Sequence, residues 1–318
     1  MTYIDVFNGD ADGICALHQL RLAEPRESVL VTGVKRDIAL LSQVEASPGD
    51  VITVLDISLD KNRDDLLRLL NTGSNVTYFD HHFAGDIPAS EHLSAHIDTA
   101  PEVCTSLLVN THLQGAYLPW AVTAAFGDNL HASARAAAAP LGLSEAQLAD
   151  LQHLGECINY NGYGAKVDDL HFPPADLYRL IRPYADPFAF MAEEAGWHKL
   201  SDGFAADMQQ ARETQSEITE EKIAVIMFPN LSWARRVSGV YGNEVARQFP
   251  QRAHALLTPN ADGSYLVSVR APVQDRRDAD TLCRRFPTGG GRAAAAGINA
   301  LPAAMLDAFI EALRETYA

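Results

Sequence analysis

Tyr3-Ile4-Asp5-Val6-Phe7-Asn8-Gly9-Asp10-Ala11-Asp12-Gly13 is the stretch on which the fold turns. Its first five residues form an apolar run rich in β-branched and aromatic side chains, the signature of a buried strand. The run breaks at Gly9 and delivers two acids, and Gly13–Ala23 then has the composition of a helix. The figure repeats downstream. Val29–Val34, Val51–Leu55 and Val76–Phe79 are apolar runs of strand length, and Lys61–Leu70 reads as an intervening helix. Strands alternating with helices predict an α/β fold: a doubly wound, mainly parallel sheet covered on both faces. Ligands in such sheets bind at the carboxyl ends of the strands.

Those ends carry the chemistry. The first strand runs into Asp10 and Asp12, the third ends at Leu55-Asp56-Ile57-Ser58, and the fourth at Phe79-Asp80-His81-His82. A later apolar stretch, Ala124-Ala125-Phe126-Gly127-Asp128-Asn129, adds one more acid. Carboxylates gathered at one place repel one another and would take up protons unless a cation is present. A mixed Asp/His set suits manganese, magnesium, iron or zinc. Two such ions about 3.5–4 Å apart can activate a water for in-line attack on phosphorus. A single Asp-x-Asp-Gly is often only a turn and a single Asp-His-His can be structural. The ordered set, each member closing an apolar run, outweighs any one of them.

Bulk properties narrow the class. The chain has 318 residues, 47% of them hydrophobic, enough for two domains with real cores. It has no apolar run of about 18 residues, so a membrane span is not expected, and Met1–Asp10 does not read as a secretory leader. Cys15, Cys104, Cys157 and Cys283 are scattered without a Cys-x-x-Cys pair, which suits reduced cytoplasmic thiols. The net charge of −16 is unevenly placed: from residue 223 onward 11 Arg and no Lys face 8 acids, a net of +3, while residues 1–222 carry −19. Arginine forks match phosphate oxygens, although an arginine-rich solvated surface is the plainer reading.

The organisation follows. Residues 1–200 are expected to form the α/β domain, mostly helical after residue 100, and 201–222 a polar connecting helix. Residues 223–318 are expected to form a smaller α+β domain. Its strands are Ile223–Phe228, Ala253–Thr258 and Tyr265–Arg270, with a turn at Asn260, Asp262 and Gly263. Helices are expected at Asp278–Arg285 and Ala303–Thr316. Between them lies Thr288-Gly289-Gly290-Gly291-Arg292-Ala293-Ala294-Ala295-Ala296-Gly297. Its glycines would let backbone N–H groups approach an anion, and its alanines are expected to begin a helix with its positive end toward that anion.

In this order, Asn8–Gly13, Val54–Ser58, Tyr78–His82 and Phe126–Asn129 resemble the four motifs of the DHH phosphoesterase family. Cys104-Thr105-Ser106-Leu107-Leu108 is similar to the helix start that follows the Asp-His-His motif, and Leu154–Asn159 to a degraded Arg-Ile-Asn-Ala segment of RecJ-type enzymes. Residues 288–297 are similar to the glycine signature of the DHH-associated C-terminal domain. There are two departures. Many members carry a histidine just before the first motif, where this chain has Val6-Phe7-Asn8, which leaves one metal with fewer protein ligands. Arg292 stands where the family usually has histidine, and an arginine cannot act as a proton donor near neutral pH.

The resemblance implies roles. Asp10 would bind one metal and Asp12 the other, with Asp56 bridging both and His81 and Asp128 completing the ligand set of the second metal. Asp80 would orient a histidine. His82 would touch the scissile phosphate, and the water between two ions, manganese or alternatively magnesium, would be the nucleophile. Gly289, Gly290, Gly291 and Arg292 would hold a terminal phosphate or neighbouring nucleotide, with the active site in the cleft between the domains. Asn159, Asn161 and Tyr163 could line the site or simply end a helix. Arg235 and Arg236 could face the cleft, and the other histidines and tryptophans read as core or surface.

The expected activity is that of a metal-dependent, nucleic-acid-binding hydrolase of phosphoric esters, an exonuclease-like phosphodiesterase acting on short oligonucleotides in the cytoplasm. The alternatives are a small nucleotide (a cyclic dinucleotide or 3′-phosphoadenosine 5′-phosphate) or short polyphosphate, or a nucleotide sensor without turnover. The expected partner is the substrate and not a membrane. The oligomeric state is open, with a homodimer among the options.

Overall fold

The computed structural model describes residues 1–317. The chain divides into two compact units, Met1–Asp202 and Gly203–Ala318.

The first unit contains β1 (Tyr3–Phe7), α1 (Ala11–Ala23), β2 (Val29–Val31), β3 (Val51–Leu55), α2 (Leu59–Asn71), β4 (Asn75–Asp80) and β5 (Leu93–Ile97). It continues with α3 (Thr105–His112), α4 (Leu118–Gly127), α5 (His131–Ala138), α6 (Glu145–Asn161), α7 (Pro174–Ile181) and α8 (Pro187–Glu193), and α9 (Ala195–Glu213) runs across the boundary. The sheet order is β2-β1-β3-β4-β5 and every pairing is parallel, as the strand–helix alternation predicts. β5 is an addition, and β2 stops at Val31 rather than Val34.

Period-two alternation splits the sheet into two faces. Ile4, Val6, Ile52, Val54, Val76 and Tyr78 pack with Leu66 and Leu69 in one core. Those leucines belong to the apolar stripe of α2, whose remaining surface is charged. The opposite face carries a buried ion pair. Arg21 of α1 donates through Nε and Nη2 to the two oxygens of Asp5 in β1 (2.9 and 2.6 Å), and Nη2 also donates to Thr53 of β3 (3.0 Å). The helical half depends on one close crossing. A Cβ added at Gly155 of α6 would lie 2.1 Å from the carbonyl oxygen of Thr123 in α4, so only glycine fits.

The second unit contains β6 (Ser216–Thr219), β7 (Ile223–Met227), α10 (Ser232–Gln248), β8 (Ala253–Pro259), β9 (Tyr265–Arg270), α11 (Ala279–Arg284), β10 (Gly289–Arg292), β11 (Ala295–Leu301) and α12 (Leu306–Tyr317). Its sheet runs β10-β11-β9-β8-β7-β6. β7 and β8 are parallel, and the other pairings are antiparallel. Val225, Leu257, Val267, Ile298, Phe309 and Leu313 belong to its core.

Two local expectations are corrected. The segment 201–222 is helical only to Glu213; Ser216–Thr219 is strand β6, because its backbone pairs with β7. The alanines after the glycine run do not start a helix. Residues 289–292 and 295–301 form an antiparallel hairpin in which Gly290 pairs with Gly297 and Gly291 with Ala296. Gly291 has φ +139°, and a Cβ there would lie 2.5 Å from the Cα of Ala296. Glycine supplies that conformation and that closeness, and pairing with β9 supplies the backbone hydrogen bonds a helix would have made internally.

Candidate metal centre

The carboxyl edge of the parallel sheet gathers the acids. Asp10 follows β1 and caps α1: its Oδ1 accepts from the N–H groups of Asp12 (3.0 Å) and Gly13 (3.1 Å). The turn reading of Asp-x-Asp-Gly therefore holds. Asp12, in the first turn of α1, is aimed at the start of α3. Its Oδ2 accepts from the Thr105 N–H and its Oδ1 from the Ser106 N–H, both at 2.7 Å. Two backbone donors at a helix start fix the plane of this side chain.

Asp56 follows β3 with φ +58°, a left-handed backbone that non-glycine residues adopt at a cost. Its N–H donates to the Phe79 carbonyl oxygen (3.0 Å) and its Oδ1 accepts from the Thr105 hydroxyl (3.1 Å). Asp128 follows α4. Burial, joined by the charges of Asp10, Asp12 and Asp128, pushes the Asp56 carboxyl well above the usual carboxylate range. Burial and the charges of Asp12 and Asp10 outweigh nearby Lys35 to raise Asp128 to about 6.

The two histidines after β4 are fixed differently. The Nδ1 of His81 lies 2.8 Å from the Val103 carbonyl oxygen. A carbonyl only accepts, so Nδ1 carries the hydrogen and Nε2 presents its lone pair. That Nε2 lies 3.5 Å from Asp56, 3.9 Å from Asp128 and 4.0 Å from Asp12. His82 donates from Nδ1 to Asp80 Oδ1 (2.7 Å). Asp80 is fully buried, while the His82 side chain is 39% exposed. Burial opposes charge on His82, but the Asp80 hydrogen bond and charge outweigh it, so the pKa rises.

One participant was not singled out from the sequence. Lys35, in the loop after β2, places Nζ 2.5 Å from Asp10 Oδ2, 3.0 Å from Asn159 Oδ1 and 3.8 Å from Asp128. Its N–H donates to the Gly162 carbonyl oxygen (2.8 Å), and the Lys35 carbonyl oxygen accepts from Asn8 Nδ2 (3.4 Å). Burial lowers and the Asp10 charge raises the Lys35 pKa, and the charge prevails. Asn159 thus reaches the site. Asn161 instead braces a loop, accepting from the N–H groups of His171 and Phe172. In the second unit, Arg236 is held in a buried pair with Asp207 (2.8 Å) and Arg235 donates to Asn230 (2.5 Å). Gly289, Gly290, Gly291 and Arg292 form β10, with Arg292 exposed.

Three solved structures share this architecture over 99% of the chain. Exonuclease RecJ bound to manganese superposes with a TM-score of 0.63 at 17% identity, over 89% of its chain. RecJ from Thermus thermophilus in complex with Mn²⁺ gives 0.67 at 17% identity, and this chain spans 52% of its length. The pGpG-specific phosphodiesterase PggH of Vibrio cholerae gives 0.58 at 12% identity, over 98% of its chain. The chain has the fold of the DHH phosphoesterases. No protein-family model matches it, and no curated protein matches it in sequence.

The residues gathered at this edge pass a chemical test for a divalent ion. One ligand atom from each of Asp12, His81 and Asp128 lies within 4.8 Å of the others, and the same holds for Asp56, His81 and His82. Oxygen and imidazole donors suit manganese. The raised carboxyls of Asp56 and Asp128 show that Lys35 alone does not balance the negative charge gathered here.

Proposed function

We propose that this chain is a divalent-metal-dependent phosphoesterase that hydrolyses phosphodiester bonds of short oligonucleotides. The observation that carries this is the convergence of Asp12, Asp56, Asp128 and the free Nε2 of His81 at one sheet edge. Asp12, Asp56, His81 and Asp128 would hold a divalent ion, manganese by preference. Bound there, the ion would supply Lewis acidity toward the phosphoryl oxygens and the attacking water. Asp10 is the remaining acid of the two-ion arrangement implied by the sequence resemblance, and it is the one to which the Lys35 ammonium donates.

The chain's own groups do the rest. Asp80 holds the His82 ring with Nδ1–H inward, which leaves Nε2 free to donate a proton to the leaving oxygen. Thr105 orients Asp56, and the α3 backbone orients Asp12. Phe83 follows His82 and is 73% exposed, an apolar face on which a base could stack. In the second unit, Gly289, Gly290, Gly291 and Arg292 would grip the neighbouring phosphate. RecJ as an exonuclease and PggH as a pGpG phosphodiesterase favour a nucleotide phosphodiester as substrate. Four buried, unpaired cysteines suit a cytoplasmic setting, and among the described residues no helix is long and apolar enough to cross a membrane.

The test is turnover by metal-stripped protein offered pentanucleotide RNA, pentanucleotide DNA, a cyclic dinucleotide, 3′-phosphoadenosine 5′-phosphate and tripolyphosphate. Each is run with Mn²⁺, with Mg²⁺ and with neither. Mononucleotide release from a pentanucleotide that depends on metal supports the reading. Cleavage of a single small compound alone replaces the substrate class, and metal binding without turnover of any compound makes the protein a sensor.

A further inference from the structure

The acid cluster contains a cation of its own. Lys35 Nζ touches Asp10 Oδ2 at 2.5 Å, is held on its far side by Asn159 Oδ1 at 3.0 Å and lies 3.8 Å from Asp128. Its backbone is tied at both ends, by Gly162 and by Asn8. The other Asp10 oxygen is occupied as the cap of α1. Asp10 Oδ2 is thus already matched to a positive charge, whereas the two oxygens of Asp12 accept only from neutral backbone N–H groups.

A second divalent ion on Asp10 would sit at a metal–oxygen distance of about 2.0–2.2 Å. That is within a few ångströms of the ammonium, and two cations so close in a buried site repel strongly. By contrast, Asp12, Asp128 and His81 bring one ligand atom each to within 4.8 Å of one another, and Lys35 approaches that set only at Asp128, at 3.8 Å.

We infer that Lys35 is a built-in counter-charge that takes the place of one of two divalent ions, so that each chain binds a single ion, at Asp12, Asp56, His81 and Asp128. The inference rests on the metal-dependent reading above. Lys35 neutralises Asp10 permanently, and its ammonium stays beside the cluster as a fixed hydrogen-bond donor for a phosphoryl oxygen.

Calorimetric titration of the metal-stripped full chain with Mn²⁺, with metal content measured after gel filtration, tests this without turnover. One ion per chain is expected for the wild type and for Lys35→Arg. Lys35→Met, checked for folding by circular dichroism, should bind two, with electron paramagnetic resonance showing the spin coupling of a Mn²⁺ pair that the wild type lacks. Two ions bound by the wild type would overturn the inference, as would a single ion with unchanged affinity in folded Lys35→Met. If Lys35→Met does not fold, Lys35→Gln takes its place with the same expectation. No ion bound by any form would sink the metal-dependent reading itself, an outcome distinct from the wild type binding two.

Discussion

Asp80 Oδ1 and His82 Nδ1 are 2.7 Å apart, with the carboxylate fully buried and the ring partly open to solvent. This pair sets the ring's tautomer and its direction. His82→Ala is therefore expected to lower kcat at least about 100-fold, the usual contribution of a positioned acid. Asp80→Asn should lower it about 10- to 100-fold. Because both act through one ring, the double variant should be no worse than His82→Ala. Additive losses in steady-state kinetics would show that Asp80 acts elsewhere.

Asp56→Asn should raise the Tm of metal-free protein while abolishing turnover. Burial and four neighbouring carboxylates, those of Asp10, Asp12, Asp128 and Asp80, hold the Asp56 carboxyl well above its ordinary range. A neutral amide of the same shape removes that tension, a gain of about 1 kcal/mol or more, which is about 2–4 °C for a unit of this size. The wild type should in turn be stabilised by Mn²⁺ and the variant much less. Differential scanning fluorimetry with and without Mn²⁺ measures both effects, and a lower metal-free Tm for the variant would contradict the account.

Acid should weaken both units through one buried histidine each. His18 in α1 and His254 in β8 have folded pKa values near 4, chiefly through burial, against 6.5 when exposed. The unfolded chain therefore binds more protons as pH falls from about 6.5 to about 4, and stability drops across that window by roughly 3 kcal/mol per histidine. Above 6.5 neither contributes a slope. His254→Leu should flatten the pH dependence of the second unit's urea transition between pH 7.5 and 5. An unchanged slope would mean that His254 is solvated at low pH.

Arg21→Met should cost about 3–5 kcal/mol, because it leaves the Asp5 carboxylate buried without its partner. Pairing it with Asp5→Leu should recover most of that loss. Urea melts of the single and double variants decide the matter, and equal losses would show that the helix–sheet contact itself, not charge, is at stake.

Gly155→Ala should move α6 away from α4, since its Cβ would meet the Thr123 carbonyl oxygen. The expected cost is about 1–3 kcal/mol. Because Asp128 ends α4 and Asn159 lies near the end of α6, Mn²⁺ affinity should also fall in calorimetry. Weakened stability with intact affinity would separate the crossing from the site.

Much of the site was legible because a parallel sheet converts an apolar period into an address. Asp10, Asp56 and Asp80 each close a run of alternating or continuous hydrophobes, so their meeting followed from strand direction alone. Lys35 follows β2 in the same way, but an irregular loop intervenes and a lone lysine has no periodic signal to set it apart. β5 went unread because Leu93-Ser94-Ala95-His96-Ile97 is half polar, with none of its side chains fully buried. The glycine–alanine stretch has the composition of either a helix or a close-packed hairpin. The choice was made by β9, which offered its edge to β11, a tertiary fact beyond local propensity.

The Asp12 carboxylate, clamped by the first N–H groups of α3, shows how far apart in the chain the proposed metal donors lie, from residue 12 to residue 128. An unfolded chain holds none of them together, so a divalent ion held by this set would bind the folded form alone. Each tenfold excess of free ion over its Kd then adds about 1.4 kcal/mol to folding. Metal supply would thus govern survival as well as turnover: in a manganese-starved cell the protein would be cleared by proteolysis, and its abundance would report on the metal.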